Sequence, residues 1–292
     1  MFRKIKSKIR NFSYFYQWDI QIDFENEEEF STSFSRFKKL SSPKDTFWAD
    51  PFVIKKEEKW YVFFEEYLNS NKRGHLSVIT IDKQNISEPI KILERDYHLS
   101  FPSIFEFDEQ LYLIHGTNHN LKSYVELFKC ENFPLEWVHH STLIHDISLV
   151  DTIMFYFNKK WWLFGCKGEK DGSSKSEELM LFYSDNPLST EWNSHPMNPI
   201  IKDITKARPA GQIFIKDNKI IRPAQNCFKV YGNGISFNEI TKINENEYEE
   251  KQIEVFSTDW NNDLIGLHTF NFHKGCTVID TRSKYKKIKN NI

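Results

Sequence analysis

The chain has 292 residues, of which 39% are hydrophobic, 16% aromatic and 27% charged. This composition is typical of a globular protein with a sizeable core, organised as one large domain or two ordinary ones. The 39 Lys and Arg residues are balanced by 41 Asp and Glu residues, and the formal net charge of −2 argues against the strongly basic surface of nucleic-acid binders. We therefore predict no nucleic-acid partner.

The start of the chain is basic and lacks the apolar core of a secretory signal, and no apolar run of about 18 residues follows. These features predict a cytoplasmic protein. Cys130, Cys166, Cys227 and Cys276 lie far apart and form no C-x-x-C pair, which predicts buried reduced thiols rather than a disulfide framework or a zinc site. The sequence has no phosphate-binding loop, dinucleotide fingerprint or nucleophile elbow, so we predict neither a cofactor nor a metal.

One pattern recurs along the chain at a period typical of propeller repeats. In its first copy, Asp50-Pro51-Phe52-Val53 is followed, ten residues after the aspartate, by Trp60-Tyr61-Val62-Phe63. Each copy holds two runs of β-branched or aromatic residues joined by a polar turn, a pattern that predicts a β-hairpin. The five copies begin, in chain order, at Asp50, Phe101, Asp151, Arg208 and His268.

The outer halves of the units also repeat. Residues 133–137 and 186–192 share a Pro-Leu and Trp pattern, and each follows a strand-like stretch. Four strands per unit and five units predict an all-β fold, a five-bladed β-propeller with four-stranded blades. Two separate sandwich domains are the alternative. Residues 16–22 alternate like a strand and would complete the last blade, so that no sheet edge is left open at the junction.

Basic tails flank the predicted propeller. The predicted parts are a short basic N-terminal tail at 1–13, the propeller at 14–282 and a short basic C-terminal tail at 283–292. One interpretation is that both tails are simply solvated. The other is a weak membrane-surface contact, because Phe2, Ile5 and Ile9 would form an apolar stripe on a basic helix.

The inner strands of a propeller surround a central funnel, so the residues that open each copy should converge there. Asp50 and Asp151 occupy equivalent positions in the first and third copies. Paired carboxylates are used in glycosidic-bond chemistry, one as acid and the other as base or nucleophile. We therefore predict Asp50 and Asp151 as catalytic residues, with Glu66 as an alternative partner carboxylate. The competing interpretation is that each aspartate caps a strand or turn.

Other polar side chains near the predicted funnel would hold the substrate. Arg208 and Arg222 bracket the fourth hairpin, and if both face inward they form a fork for a carboxylate or phosphate. The alternative is that they neutralise buried carboxylates. Trp48 would stack on a sugar ring, unless it packs between blades. The predicted substrate-binding residues are Glu65, His98, Arg208, Arg222, Gln225, His268 and Trp48.

Short motifs spread over nearly the whole chain carry a family resemblance. They lie at residues 47–52, 63–67, 97–102, 150–152, 161–164, 195–199, 207–211, 222–226 and 237–240. The motifs resemble the N-terminal propeller of plant glucosamine inositolphosphorylceramide transferases, which related bacterial proteins carry alone or beside a formyltransferase-like domain. More distantly, the Ala-Asp-Pro opening at residues 49–51 is similar to five-bladed propeller glycoside hydrolases. In those enzymes the blade-one aspartate is the general base or nucleophile.

The resemblance implies glycan chemistry, with glycosyl transfer or glycosidic-bond cleavage at a central polar funnel. Only Asp50 matches the hydrolase pattern well, since Phe101 stands where those enzymes have a second aspartate, and Asp151 or Glu66 would have to substitute. The implied setting is assembly of a bacterial surface polysaccharide or glycolipid, in the cytoplasm or peripherally at the inner membrane face. The implied ligand is a sugar, a sugar nucleotide or an anionic glycan. The alternative is a non-catalytic module that binds such a ligand for a partner glycosyltransferase.

Overall fold

A computed structural model describes residues 14–24, 29–82, 85–119, 122–169 and 176–286. The chain begins with β1 (Tyr14–Asp23), a 3-10 helix (Phe34–Arg36) and β2 (Lys38–Leu40). The predicted N-terminal tail, 1–13, lies outside the described residues, as do positions 287–292 of the predicted C-terminal tail. No helix within the described part of the chain combines the length and the apolar character needed to cross a bilayer.

Five antiparallel sheets follow one another and form the five blades of a β-propeller, which confirms the predicted fold. Blade one contains β3 (Thr46–Lys56), β4 (Lys59–Leu68), β5 (Arg73–Ile81) and β6 (Ile90–Leu93). Blade two contains β7 (Ser103–Phe107), β8 (Gln110–His119), β9 (Lys122–Asn132) and β10 (Glu136–His145). Blade three contains β11 (Leu149–Phe157), β12 (Lys160–Lys167) and β13 (Glu178–Ser184), and two short strands share its outer position, β14 (Asn193–Ser194) and β15 (Ile201–Lys202).

The last two blades complete the ring. Blade four contains β16 (Phe214–Lys216), β17 (Lys219–Asn226), β18 (Gly234–Ile243) and β19 (Tyr248–Phe256). Blade five combines the end of the chain with its beginning, in the order β20 (Leu264–His273), β21 (Cys276–Lys286), β1 and β2. The first strand pairs with β21 from Tyr14↔Lys286 to Asp23↔Thr277, so residues 16–22 close the propeller as predicted. The closing strand continues to Lys286, past the predicted boundary at 282.

Three of the repeated residues that open a unit have an unusual backbone conformation. Asp50, Phe101 and Asp151 all adopt left-handed backbone conformations, with φ of 53°, 50° and 53°. The pairing of β3 with β4 shifts register around Asp50, and that of β11 with β12 shifts around Asp151. Bulges of this kind redirect a side chain away from the plain alternation of a strand. In blades one and three the repeated pattern therefore encodes a bulge as well as a hairpin.

Apolar side chains fill the spaces between neighbouring blades. Between blades five and one, for example, Ile20 and Ile22 of β1 are almost completely buried in one cluster with Trp48 and Phe64 of blade one. At the inner strands, Phe52, Phe101 and Ile153 form a small cluster of their own. Phe101 therefore supplies apolar packing where blades one and three supply aspartates.

The closure of the ring predicts a large cost for shortening a buried side chain of β1. We expect Ile20→Ala to lower the free energy of unfolding by about 2–5 kcal/mol, because it leaves a cavity between the first and last blades. The matched control is Ile215→Ala in β16, where the side chain is 51% exposed and the expected change is within about 0.5 kcal/mol. Urea denaturation of both variants measures the difference, and equal costs would contradict the closure.

Candidate functional site

Polar side chains from four blades meet around the propeller axis. The group, called the axis cluster below, consists of Asp50 and Glu65 from blade one, Asp151 from blade three, Arg208 and Gln225 from blade four, and His268 and Asp280 from blade five. Each side chain is either buried or largely shielded from solvent. Four carboxyl groups and two basic groups in so small a volume form a strongly coupled electrostatic system.

Asp280 and His268 form the core of this cluster. The Nδ1 atom of His268 lies 2.6 Å from Oδ2 of Asp280, and its Nε2 atom lies 3.5 Å from Oδ1 of Asp50. Burial disfavours the imidazolium form, but the charges of Asp280 and Asp50 outweigh this and raise the pKa of His268 above its ordinary value. The imidazole ring also stacks on Trp18, with ring centroids 4.1 Å apart. His268 is thus fixed in orientation, and its neighbours favour the charged form of its ring.

Both carboxylate oxygens of Asp50 accept hydrogen bonds. Oδ1 accepts from the Thr269 hydroxyl at 3.1 Å, and Oδ2 accepts from the backbone N–H of Phe101 at 3.2 Å. Burial is the main influence that raises the pKa of Asp50 to about 7; the nearby Asp151 and Asp280 act in the same direction, and His268 and Arg208 oppose it. Asp50 is therefore poised to gain or lose a proton near neutral pH, as a general acid or base requires.

Asp151 is held by blade four. Its Oδ2 atom lies 2.6 Å from Nε of Arg208 and accepts a second hydrogen bond from Nε2 of Gln225 at 2.8 Å. The Arg208 guanidinium also lies over the ring of Tyr231, 4.9 Å from its centroid. Arg208 therefore neutralises the buried carboxylate of Asp151, as in the alternative interpretation of the sequence, and Gln225 binds the same carboxylate.

Glu65 is the least compensated carboxyl group of the cluster. Its Oε1 atom is buried and has no hydrogen-bond partner among the described residues. Burial, together with the charges of Asp50, Asp151 and Asp280, raises the pKa of Glu65 well above its ordinary value. Nε2 of His98 lies 3.5 Å from this oxygen, and the His98 side chain is 49% exposed. Glu65 is therefore a buried carboxyl group whose protonated form is favoured, and it lies behind the partly exposed imidazole of His98.

Three members of the site were missed by the sequence analysis: Asp280, Trp18 and Tyr231. Tyr231 packs edge-on against both Trp18 and His268 and remains 41% exposed. The only available signal for Asp280 was a carboxylate that directly follows the apolar residues of a predicted strand. Trp18 comes from the beginning of the chain, and only closure of the ring brings it to His268.

The structure does not bring Arg222 to the axis, which corrects the predicted guanidinium fork. Its guanidinium group donates to both carboxylate oxygens of Glu250 at 2.8 Å, and both side chains are fully buried inside blade four. Arg222 lies on β17 and Arg208 lies in the segment before β16, and nothing in the local pattern showed that their side chains point to different partners. Of the two arginines, only Arg208 belongs to the site.

Glu66 and Trp48 also do not take the roles predicted for them. Glu66 accepts hydrogen bonds from Ser77 and Trp48 and lies 3.1 Å from Nε2 of His75, all within blade one. Burial opposes its ionisation, but these hydrogen bonds hold the pKa of Glu66 below its ordinary value. Trp48 itself is buried in the core between blades one and five, so blade packing occupies the ring that was predicted to stack on a sugar. Glu65, one position earlier, provides the carboxyl group at the axis.

Asp50, His268 and Asp280 could offer ligands to a metal ion, since one atom from each lies within 4.8 Å of the others. The Asp280 carboxylate is already engaged, however. Its oxygens accept hydrogen bonds from the backbone N–H groups of Asp50, His268 and Thr269, at 2.9 to 3.1 Å. A cation would have to replace the imidazolium and compete with these donors, so the arrangement fits a hydrogen-bonded relay better than a metal site.

A family model described as "Glucosamine inositolphosphorylceramide transferase 1, N-terminal" matches residues 34–273. The chain belongs to this family. It is 32% identical over 213 residues to glucosamine inositolphosphorylceramide transferase 1 of Oryza sativa subsp. japonica, and 31% identical over 211 residues to that of Arabidopsis thaliana. These matches cover 72% and 71% of the chain but only 28% and 27% of the relatives. This member of the family thus spans little more than a quarter of the length of the curated relatives it matches.

Solved structures share the fold of this family member. Zg3597, a family 117 glycoside hydrolase from the marine bacterium Zobellia galactanivorans, superposes with a TM-score of 0.57 and 12% identity, over 94% of this chain and 92% of that one. The GH43_1 enzyme from Xanthomonas citri complexed with xylose superposes with a TM-score of 0.58 and 8% identity, over 82% and 87% of the two chains. At these identities the likeness shows the propeller fold alone.

The buried pair in blade four predicts a strong effect on stability. We expect Arg222→Met to lower the free energy of unfolding by about 3–5 kcal/mol, because Glu250 is left buried without its cation. The double variant Arg222→Met/Glu250→Leu should recover most of this loss. Urea denaturation of the single and double variants measures both values. A double variant as unstable as Arg222→Met would contradict this account of the pair.

The pKa of Asp50 predicts a pH-dependent stability. The pKa of Asp50 is about 7 in the folded protein, whereas its ordinary value is 3.8. Between these two pH values the folded state therefore binds more protons than the unfolded state. The protein thus loses stability as the pH rises through this range. Asp50→Asn removes this loss. Relative to wild type, we expect the variant to gain up to about 4 kcal/mol in free energy of unfolding between pH 4 and pH 8. Denaturation across this range measures it, with the exposed Asp45→Asn as control; parallel curves for wild type and Asp50→Asn would contradict the shift.

Proposed function

We propose that this protein acts on a glycan at the axis cluster, where it makes or cleaves a glycosidic bond. The observation that carries the proposal is that neighbouring carboxyl groups in the cluster differ in pKa. The pKa of Glu65 is raised well above its ordinary value, the pKa of Asp50 is raised to about 7, and Asp151 is ion-paired with Arg208. Glycosidic-bond chemistry needs one carboxyl group that donates a proton and another that acts as base or nucleophile.

The geometry assigns a role to each of these groups. Glu65, next to the partly exposed His98, would protonate the leaving oxygen. Asp50 would act as the base or nucleophile, with its charge adjusted by His268. Arg208, which is 14% exposed and held by Asp151, would orient a hydroxyl or an anionic group of the substrate. Gln225 fixes Asp151 and takes a positioning role.

The wider setting is also a proposal. The relatives are named as transferases, and the fold neighbours are named as glycoside hydrolases, one of them complexed with xylose. These names support a sugar as ligand. Assembly of a bacterial surface polysaccharide or glycolipid, in the cytoplasm or at the inner membrane face, is consistent with the family name. A partner glycosyltransferase is a further part of this proposal.

A second function is favoured by one specific observation. Both oxygens of Asp50 are occupied by protein donors, and its side chain is only 6% exposed. The groups that face solvent are His98 and Tyr231, which are binding groups rather than proton donors to a sugar oxygen. On this account the axis cluster is a rigid support, and the protein binds a glycan or sugar nucleotide for a partner enzyme.

Product formation distinguishes the two functions. Wild type, Asp50→Asn and Glu65→Gln are each incubated with sugar nucleotides, sugar phosphates and aryl furanosides, and products are identified by mass spectrometry. For an enzyme we expect turnover by the wild type and a loss of about 10²–10⁴-fold in both variants, because each lacks a proton-transfer group. Glu66→Gln is the matched control, since the same substitution one position later removes a carboxylate that points into blade one.

Two results of this experiment would contradict the proposal in different ways. Equal turnover in Glu65→Gln and Glu66→Gln would overturn the assigned roles. Thermal stabilisation by one of these ligands without product in any protein would overturn the catalytic function and support the binding module.

A further inference from the structure

A second cavity lies on blade five, away from the axis cluster. Its volume is about 670 Å³, within the range of sites for small ligands. It is bounded by the 3-10 helix, by strands β1, β2 and β21, and by the loop 257–263 that joins blade four to blade five. No residue of the axis cluster lines it. Its lining includes Phe37, Lys39, Trp260, Asn261, Asn262 and Tyr285.

Strand alternation explains why this cavity is polar and separate from the axis. On β21, Asp280 points to the axis, whereas Ser283 and Tyr285 belong to the cavity wall. On β1, Gln21 lines the cavity and donates to the Thr281 hydroxyl at 2.8 Å. Blade five thus presents hydroxyl and amide groups on the wall of this cavity, beside the apolar cluster that fills the space between blades four and five.

The loop that covers the cavity is fixed by its own hydrogen bonds. The N–H of Asn261 donates to the carbonyl of Thr258 at 3.2 Å, and the N–H of Asp263 donates to Oδ1 of Asn261 at 2.9 Å. Trp260 is anchored from one side by Phe34, with ring centroids 5.1 Å apart. Its indole N–H has no hydrogen-bond partner among the described residues. The cavity therefore carries a preformed aromatic surface flanked by exposed amides, which lowers the entropic cost of binding.

The ammonium group of Lys39 at the cavity is already neutralised within the protein. Nζ of Lys39 lies 2.8 Å from the buried carboxylate of Asp19 and also donates to the hydroxyl of Tyr285. Tyr285 in turn donates to Asp19 at 3.2 Å. A phosphate or carboxylate ligand would have to compete with Asp19 for this ammonium group, so the cavity favours an uncharged ligand.

From these features we infer that the cavity is a second carbohydrate-binding site, specific for a neutral oligosaccharide segment. An aromatic ring accepts the apolar C–H face of a sugar, while planar amides and fixed hydroxyls hydrogen-bond to its hydroxyl groups. Trp260 provides the ring, and Asn261, Asn262 and Tyr285 provide the polar groups. The site would hold part of a glycan chain at a distance from the axis, and its existence does not depend on catalysis there.

The test is affinity gel electrophoresis of the full chain in soluble xylan, arabinan and a neutral β-glucan. We expect at least one of these polymers to retard the wild type, with Trp260→Ala raising the dissociation constant at least 10-fold. Because Trp260 packs against Phe34, the second variant is Asn262→Ala, an exposed side chain whose loss should weaken binding several-fold without affecting the fold. Trp192→Ala on the outer edge of blade three is the matched control and should bind as the wild type does.

Two results would overturn the inference. One is the absence of retardation of the wild type by all three polymers, and the other is unchanged retardation of both Trp260→Ala and Asn262→Ala. Asp50→Asn is run alongside them and should keep its retardation. A failure of the axis-cluster proposal and a failure of this second site therefore give different patterns.

Discussion

The buried carboxylate of Asp280 connects the first and last blades at the axis. It accepts the backbone N–H of Asp50 from blade one and those of His268 and Thr269 from its own blade, while its Oδ2 atom lies 2.6 Å from the His268 ring. These contacts fix the bulge that carries Asp50 and the orientation of the imidazole together. Because charge-assisted hydrogen bonds to a buried carboxylate are strong, the geometry of the site and the closure of the ring depend on the same group.

The axis cluster places charge where a stable fold would place apolar side chains. Four carboxyl groups share one small volume with one guanidinium and one imidazole, and burial raises the pKa of Glu65 well above its ordinary value. Apolar packing at the same level, by Phe52, Phe101 and Ile153, shows that the fold can fill the axis without charge. Groups held in such an unfavourable environment are characteristic of functional sites, because perturbed acid strength is what proton transfer requires.

The neighbouring residues Glu65 and Glu66 have different surroundings in this structure. Glu65 points to the axis, whereas Glu66 is bound within blade one by Ser77 and Trp48. The sequence predicts both as strand residues, and period-two alternation requires that they face opposite sides. Which of the two side chains reaches the propeller axis depends on how blade one packs between its neighbours. The same limit applies to the two arginines of the fourth repeat. Both were predicted as site residues, but only Arg208 reaches the axis, because Arg222 is paired with Glu250 inside blade four.

The sequence by itself determined the number of blades, their hairpins, the closing strand and the converging positions Asp50, Asp151, Arg208 and His268. These properties are local or periodic, since a hairpin recurs in each unit and a bulge accompanies it in blades one and three. Only the tertiary structure decided that Asp280, Trp18 and Tyr231 complete the site, that Glu65 replaces Glu66, and that a polar cavity opens on blade five. These contacts join residues far apart in the chain. Their geometry depends on the closure of the ring and on how each blade packs against its neighbours, and the sequence pattern does not encode either property.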